Sequence, residues 1–226
     1  MGLQSVYVEK GVLQDTLSFN GVTLLTYEIE YPVFRSFRYR TCMPKINWYY
    51  RKRAAYFQRY CRKVLFPMAV KQYQNDVANG FPIRAYEAIQ VFKVTYQKDC
   101  IVSLYSDQYQ YTGGAHGNTT RSSETWNLET CRQLSLNRLV FCPPDMKTFI
   151  LAEVEAQIKI EPELYFEDYP ALIRETFNRN QFYCTREGLV VYYQQYDIAP
   201  YASGIREFLI PYSDCVSDPV TLCAVS

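Results

Sequence analysis

The spacing of apolar positions opens the chain with strands. Val12 to Phe19 and Val22 to Tyr31 form the arms of a hairpin within residues 6–33, joined by Asn20-Gly21. That dipeptide suits a two-residue turn because both positions tolerate positive φ. In the second arm Thr26, Glu28 and Glu30 alternate with Tyr27, Ile29 and Tyr31, the period of a half-buried strand. Pro32 has no N–H for a ladder, so it marks an edge or a strand end. From Pro44 to about Asn79 the period changes. Ile46, Tyr50, Ala54, Phe57, Cys61, Val64, Leu65 and Met68 step by three and four, which predicts one buried face of a long helix. Pro67 should kink or divide it, and Asn79-Gly80 should end it. A second hairpin follows, Tyr86 to Tyr96 and Cys100 to Tyr111 around Gln97-Lys98-Asp99, then a strand from Thr119 to Leu128.

The rest reads as shorter elements. Leu134 to Val140 predicts a helical turn led by Ser135, and Asp145 caps a helix to about Ile160 with Phe149, Ile150, Val154 and Ile158 inward. A short helix covers Pro170 to Phe177, a hairpin Phe182 to Tyr193 around Arg186-Glu187-Gly188, and a last strand Gly204 to Ile210. The tail from Ser213 is expected to be loose or to cap one end. Strands and helices cluster without regular βαβ alternation, which predicts an α+β fold: a mainly antiparallel sheet against a long N-terminal helix and one or two shorter helices.

Composition narrows this little. A chain of 226 residues with net charge +1 fits one large domain or two small ones and carries no global field toward nucleic acid or an anionic membrane. The cations of the long helix (Arg51, Lys52, Arg53, Arg59, Arg62 and Lys63) lie mostly off its apolar face and read as solvated, balanced by acids elsewhere. No apolar run is long enough to span a membrane, and no signal peptide is visible, so the chain is cytoplasmic on its face. Eight cysteines are scattered with no Cys-x-x-Cys pair. That spacing predicts no zinc ribbon and mostly free thiols in a reducing compartment. Twenty-two tyrosines suit strand packing as well as sugar or protein contact.

The densest chemistry lies in Tyr111-Thr112-Gly113-Gly114-Ala115-His116-Gly117-Asn118, with three of the nine glycines and the only histidine. The glycines point to a sharply shaped backbone. His116 admits three roles: a structural bond to backbone across the turn, a ligand contact, or catalysis with Ser122, Ser123 or Asp107 nearby in sequence. A metal site built on paired histidines is excluded by arithmetic, and no Gly-x-Ser-x-Gly elbow is present. No cofactor and no metal are expected.

The octet precedes Trp126-Asn127-Leu128-Glu129-Thr130 and Leu134-Ser135-Leu136. A second set follows: Glu187-Gly188-Leu189-Val190-Val191-Tyr192-Tyr193, Tyr196-Asp197-Ile198-Ala199-Pro200-Tyr201-Ala202-Ser203-Gly204 and Ile210-Pro211-Tyr212. Together they resemble the C-terminal ectodomain of RsiV-like anti-sigma factors, a module also found beside the catalytic domain of PdaC-type peptidoglycan deacetylases. On that resemblance residues 1–118 correspond to the deacetylase-associated half and residues 119–226 to the RsiV-like half, packed as one unit. The resemblance implies a domain without chemistry of its own, placed outside the membrane, that binds a protein such as lysozyme or a cell-wall glycan. The expected contact residues are Tyr111, Gly113, Gly114, His116 and Asn118 in one loop and Tyr196, Pro200 and Tyr201 in another. A hydrolase using His116 with a serine or carboxylate, and a scaffold without a small ligand, are the alternatives. Tyr192 and Tyr193 belong to a binding face if exposed and to sheet packing if buried.

Overall fold

A computed structural model describes residues 6–224. It is α+β, as the clustered pattern predicts. Six strands run β1 (Tyr7–Phe19), β2 (Val22–Arg35), β3 (Tyr86–Lys98), β4 (Ile101–Tyr111), β5 (Asn118–Asn127) and β6 (Arg132–Gln133), neighbours in sheet order as in sequence. A three-stranded sheet holds β7 (Phe182–Cys184), β8 (Gly188–Tyr193) and β9 (Arg206–Pro211). The chain divides into two compact units, 1–92 with 106–119 and 93–105 with 120–226. Strands β3, β4 and β5 each contain residues of both units.

In the first unit β1 and β2 form the expected hairpin, with Asn20 and Gly21 at φ 50° and 79°. The second arm continues through Pro32, which is buried in the ladder opposite Lys10. This is permitted because only Leu25–Ile29 of β2 pairs with β3, leaving Pro32 at an edge. That pairing is parallel, which the alternation alone could not reveal. Parallel neighbours need a long crossover, and the helical segment supplies it: α1 (Met43–Tyr60), a π turn (Cys61–Leu65) and α2 (Phe66–Asn79). Asn47 fixes its start, accepting from Phe34 N at 2.7 Å and donating to Phe34 O at 2.9 Å. Gly80, at φ 69°, closes the end.

Pro67 does not divide this helix. The π turn ends at Leu65, separated from Pro67 by Phe66 alone, with Phe66 N bonded to Cys61 O, and the wide turn accommodates a residue that has no N–H and crowds the carbonyl four before it. It also moves the buried face. Ala54, Phe57, Cys61, Leu65 and Ala69 pack on Leu25, Tyr27, Ile29, Tyr86 and Ala88. Val64 and Met68, expected inward, are 40% and 47% exposed.

In the second unit Asp145 caps α3 (Met146–Ile158) as expected, accepting from Thr148 N at 3.0 Å, and Ile150, Val154 and Ile158 are buried. Helix α4 (Tyr169–Glu175) follows. Strand β8 is central and wholly buried, paired to β7 and β9. The tail is tied down: Val216 bridges Val140, Cys215 bonds Cys142 and Cys223 bonds Cys100. Cys42 and Cys131 are also disulfide-bonded. The expectation of mostly free thiols is therefore overturned. Only Cys61 and Cys184 are free, and both are buried. Scattered spacing hides such pairs because their partners lie 123 and 73 residues apart.

Candidate functional site

The glycine-rich octet belongs to the first unit and joins β4 to β5. Gly113 sits at φ +82°, a conformation an L side chain rarely takes. At Gly117 a Cβ would lie 2.3 Å from the Tyr109 ring, so a larger residue there would displace that ring. Tyr111 Oη donates to Gly114 O at 3.1 Å, and Arg84 Nη1 donates to Gly113 O at 2.9 Å. These bonds hold the turn from both sides. His116 is exposed, with Nδ1 3.0 Å from Gly117 O, a backbone partner of the kind the structural role requires. Asn118 is exposed at the start of β5.

The turn walls one side of an open hollow of about 450 Å³, lined also by Gln72, Asp76, Phe81, Pro82 and Arg84. None of these five was among the expected contact residues. Asp76 is only 7% exposed. Its carboxylate accepts from Gln72 Nε2 at 2.7 Å, and no ion pair engages it among the described residues. Burying a carboxylate without a cation is costly, and Asp76 stands in the last turn of α2, where the helix dipole is negative. An acid in that position, the first after 45 acid-free residues, was the available signal. Arg84 is exposed, and its bonds to the turn use Nη1 alone, leaving Nε and Nη2 free to donate. Phe81 is 58% exposed at the same hollow.

Tyr196, Pro200 and Tyr201 belong to the second unit. They build a knuckle between β8 and β9. Tyr196 is held at φ 67° and is 50% exposed, and its ring lies 5.9 Å from that of Tyr201. Pro200 is exposed and leads a 3-10 turn over Tyr201–Ser203. Asp197 Oδ2 accepts from Gln194 N at 2.8 Å, closing the loop below. Burial pushes the Asp197 carboxyl above its ordinary range, partly offset by that bond. The neighbouring Tyr192 and Tyr193 are 1% exposed. Tyr193 Oη donates to Ile173 O, and Tyr192 Oη lies 3.1 Å from Ser123 Oγ. Both are sheet packing.

Of the serines weighed for catalysis, Ser123 is bonded to backbone, its Oγ donating to Phe182 O at 2.5 Å. Burial raises the thiol of Cys61 to about 11 and that of Cys184 to about 12, which keeps both protonated and poor as nucleophiles near neutrality. One cluster of metal-ligand residue types occurs among the described residues, Cys100, Glu129 and Cys223. Its two sulfurs are joined in a disulfide.

Residues 21–119 match the family model described as deacetylase PdaC, and residues 140–213 match the one described as a protein of unknown function, DUF3298. No curated protein matches. Among solved structures, a DUF3298 family member from Bacteroides fragilis NCTC 9343 is similar over 97% of this chain and 96% of its own, with TM-score 0.71 and 20% identity. A DUF3298 family protein from Pseudomonas aeruginosa PAO1 is similar over 92% and 91%, with TM-score 0.57 and 18% identity. These two likenesses concern the fold. The family matches support the coarser part of the resemblance, a PdaC-like domain followed by a DUF3298-like domain.

Proposed function

We propose that this chain is a recognition domain that binds a saccharide of the bacterial cell wall in the hollow beside Gly113-Gly114 and performs no covalent chemistry on it. One observation carries the reading: Asp76 is buried without a cation on the wall of an open hollow that also bears Arg84 and the exposed ring of Phe81. A carboxylate accepts bonds from neighbouring sugar hydroxyls, while a guanidinium donates to amide or ring oxygens. An aromatic ring covers the apolar face of a pyranose, and the volume is of the size small ligands occupy. The PdaC match connects this half of the chain by name to a deacetylase, and on the resemblance the module stands beside enzymes of peptidoglycan. The disulfides support an oxidising compartment, where the wall is met.

Calorimetric titration with soluble peptidoglycan fragments tests this. Asp76→Asn and Arg84→Ala should each weaken binding about tenfold or more, since each leaves a polar partner unmatched. His116→Ala should change it less. Fragments that bind all three variants as they bind the native chain would remove the hollow from the account.

A second reading rests on the knuckle. The exposed Tyr196 and Pro200, with the half-buried Tyr201 ring beside Tyr196, form a projection of the kind that anchors protein interfaces, and the RsiV resemblance suggests a lysozyme-type partner. Pull-down with lysozyme, lost in Tyr196→Ala and kept in Asp76→Asn, would favour it over the saccharide.

A further inference from the structure

The net charge of +1 conceals a division. Residues 31–75 hold eleven of the 24 Lys and Arg and none of the 23 Asp and Glu, so the rest of the chain sets 13 cations against 23 acids. The structure gathers the cations of this segment. Lys45, Trp48, Lys52, Tyr56, Arg59 and Lys63 recur in steps of three and four, and all six are exposed. They face away from the buried Ile46, Tyr50, Ala54, Phe57 and Cys61. The stripe is about 27 Å long at 1.5 Å per residue.

Lys52, Arg59 and Lys63 are not spent on acids. Arg62 and Arg35, at the margins of the stripe, pair with Asp15 and Glu9. Lys52, Arg59 and Lys63 have no acidic partner among the described residues. Instead Lys52 Nζ lies 4.7 Å from the centroid of the Trp48 ring, and the Arg59 guanidinium lies 5.7 Å from that of Tyr56. Trp48 is 62% and Tyr56 67% exposed, and Phe37, shortly before the helix, is 89% exposed. Solvation alone accounts for lysines on such a face. It does not account for large rings held out in water between them.

We propose that this face of α1 and the π turn rests on an anionic phospholipid surface, with Lys52, Arg59 and Lys63 on the phosphates and Trp48 and Tyr56 at the depth of the headgroups. Trp and Tyr prefer that layer. Each cation held near an anionic bilayer strengthens binding about fivefold. A convex helix face offers no walls to enclose a small ligand, whereas a flat bilayer meets it along its length. The disulfides argue for a compartment where membranes, not nucleic acids, supply the phosphates. This proposal does not depend on the saccharide reading.

The full chain is sedimented with vesicles of equal phosphatidylcholine and phosphatidylglycerol, and with phosphatidylcholine alone. Binding is expected only to the first, and it should weaken at high salt. Trp48 emission should shift to the blue, and the shift should vanish in Trp48→Phe, which keeps the buried Trp126 as an internal reference. The triple variant Lys52→Glu, Arg59→Glu, Lys63→Glu should lose at least about 100-fold in affinity while keeping the native melting temperature, because all three side chains are exposed. Equal binding to both vesicles, no binding to either, a blue shift that survives Trp48→Phe, or capture by soluble polyphosphate without capture by vesicles overturns the proposal.

Discussion

The disulfides make a prediction that can be worked through in numbers. Cys100–Cys223 closes a span of 123 residues, and Cys142–Cys215 closes one of 73. In the chain-entropy treatment, loops of these lengths restrict the unfolded state by about 5 and about 4 kcal/mol, as upper values. Replacing both members of the longer pair (Cys100→Ser with Cys223→Ser) should therefore cost about 3–5 kcal/mol. For a chain of this size each kcal/mol lowers the melting temperature by about 2–4 °C, so the variant should melt about 6–20 °C lower. Two assays bear on it. Thiol titration of unreduced, denatured protein should count two groups, Cys61 and Cys184. Calorimetry of the variant, read beside the native chain with and without reductant, should show the loss. Eight titrating thiols, or a double variant melting within about 2 °C of the native protein, would refute both the pairing and the energetic reasoning.

Other perturbations test the local geometry. Burial raises the Asp197 carboxyl in the folded state, so its contribution to stability is full below the unfolded carboxylate range and is lost as pH rises through the raised value. Asp197→Asn keeps an acceptor for Gln194 and should raise the urea midpoint at pH 7, with the advantage gone by about pH 3. At Gly188 a Cβ would stand 2.3 Å from Ile210 O and 2.9 Å from Pro211 Cα, both backbone. Gly188→Ala should thus open the β8–β9 pair at a cost of about 3 kcal/mol, read by urea denaturation. Gly113→Ala should cost about 1–2 kcal/mol through its positive φ. The adjacent Gly114→Ala, with nothing within 4 Å, should stay within about 0.5 kcal/mol of native.

Several local signals, in which one residue type answers one backbone demand, proved sound, although Ser135 makes no cap bond and Pro67 did not divide its helix. Asn20-Gly21 supplied the turn, Asp145 the cap and Gly80 the helix end. What stayed hidden depends on partners distant in the chain. Alternating strands look the same whether their neighbour is parallel or antiparallel, so the β2–β3 pairing was unreadable. The fate of a cysteine is decided by another many residues away. The unbroken apolar run Leu189-Val190-Val191-Tyr192-Tyr193 did carry a usable sign, since only a strand buried on both faces needs it, and it explains why the two tyrosines are packed inside. The candidate site was half legible. Glycines and histidine marked the turn, but the hollow it walls is completed by Asp76 and Arg84, contributed by a helix end and the loop after it.

The π turn bears on that hollow. Phe57, Cys61, Leu65, Ala69 and Tyr73 recur every four residues, and on a regular α-helix such spacing would wander about 40° per step away from the sheet. One surplus residue in the wide turn winds the later positions back toward it, so that Asp76 arrives on the wall of the hollow. Excising a single residue from that turn would leave the strands untouched and rotate the end of the helix by about 100°, swinging the carboxylate out toward solvent. The aim of one acid thus hangs on a miscount of one in the helix that carries it.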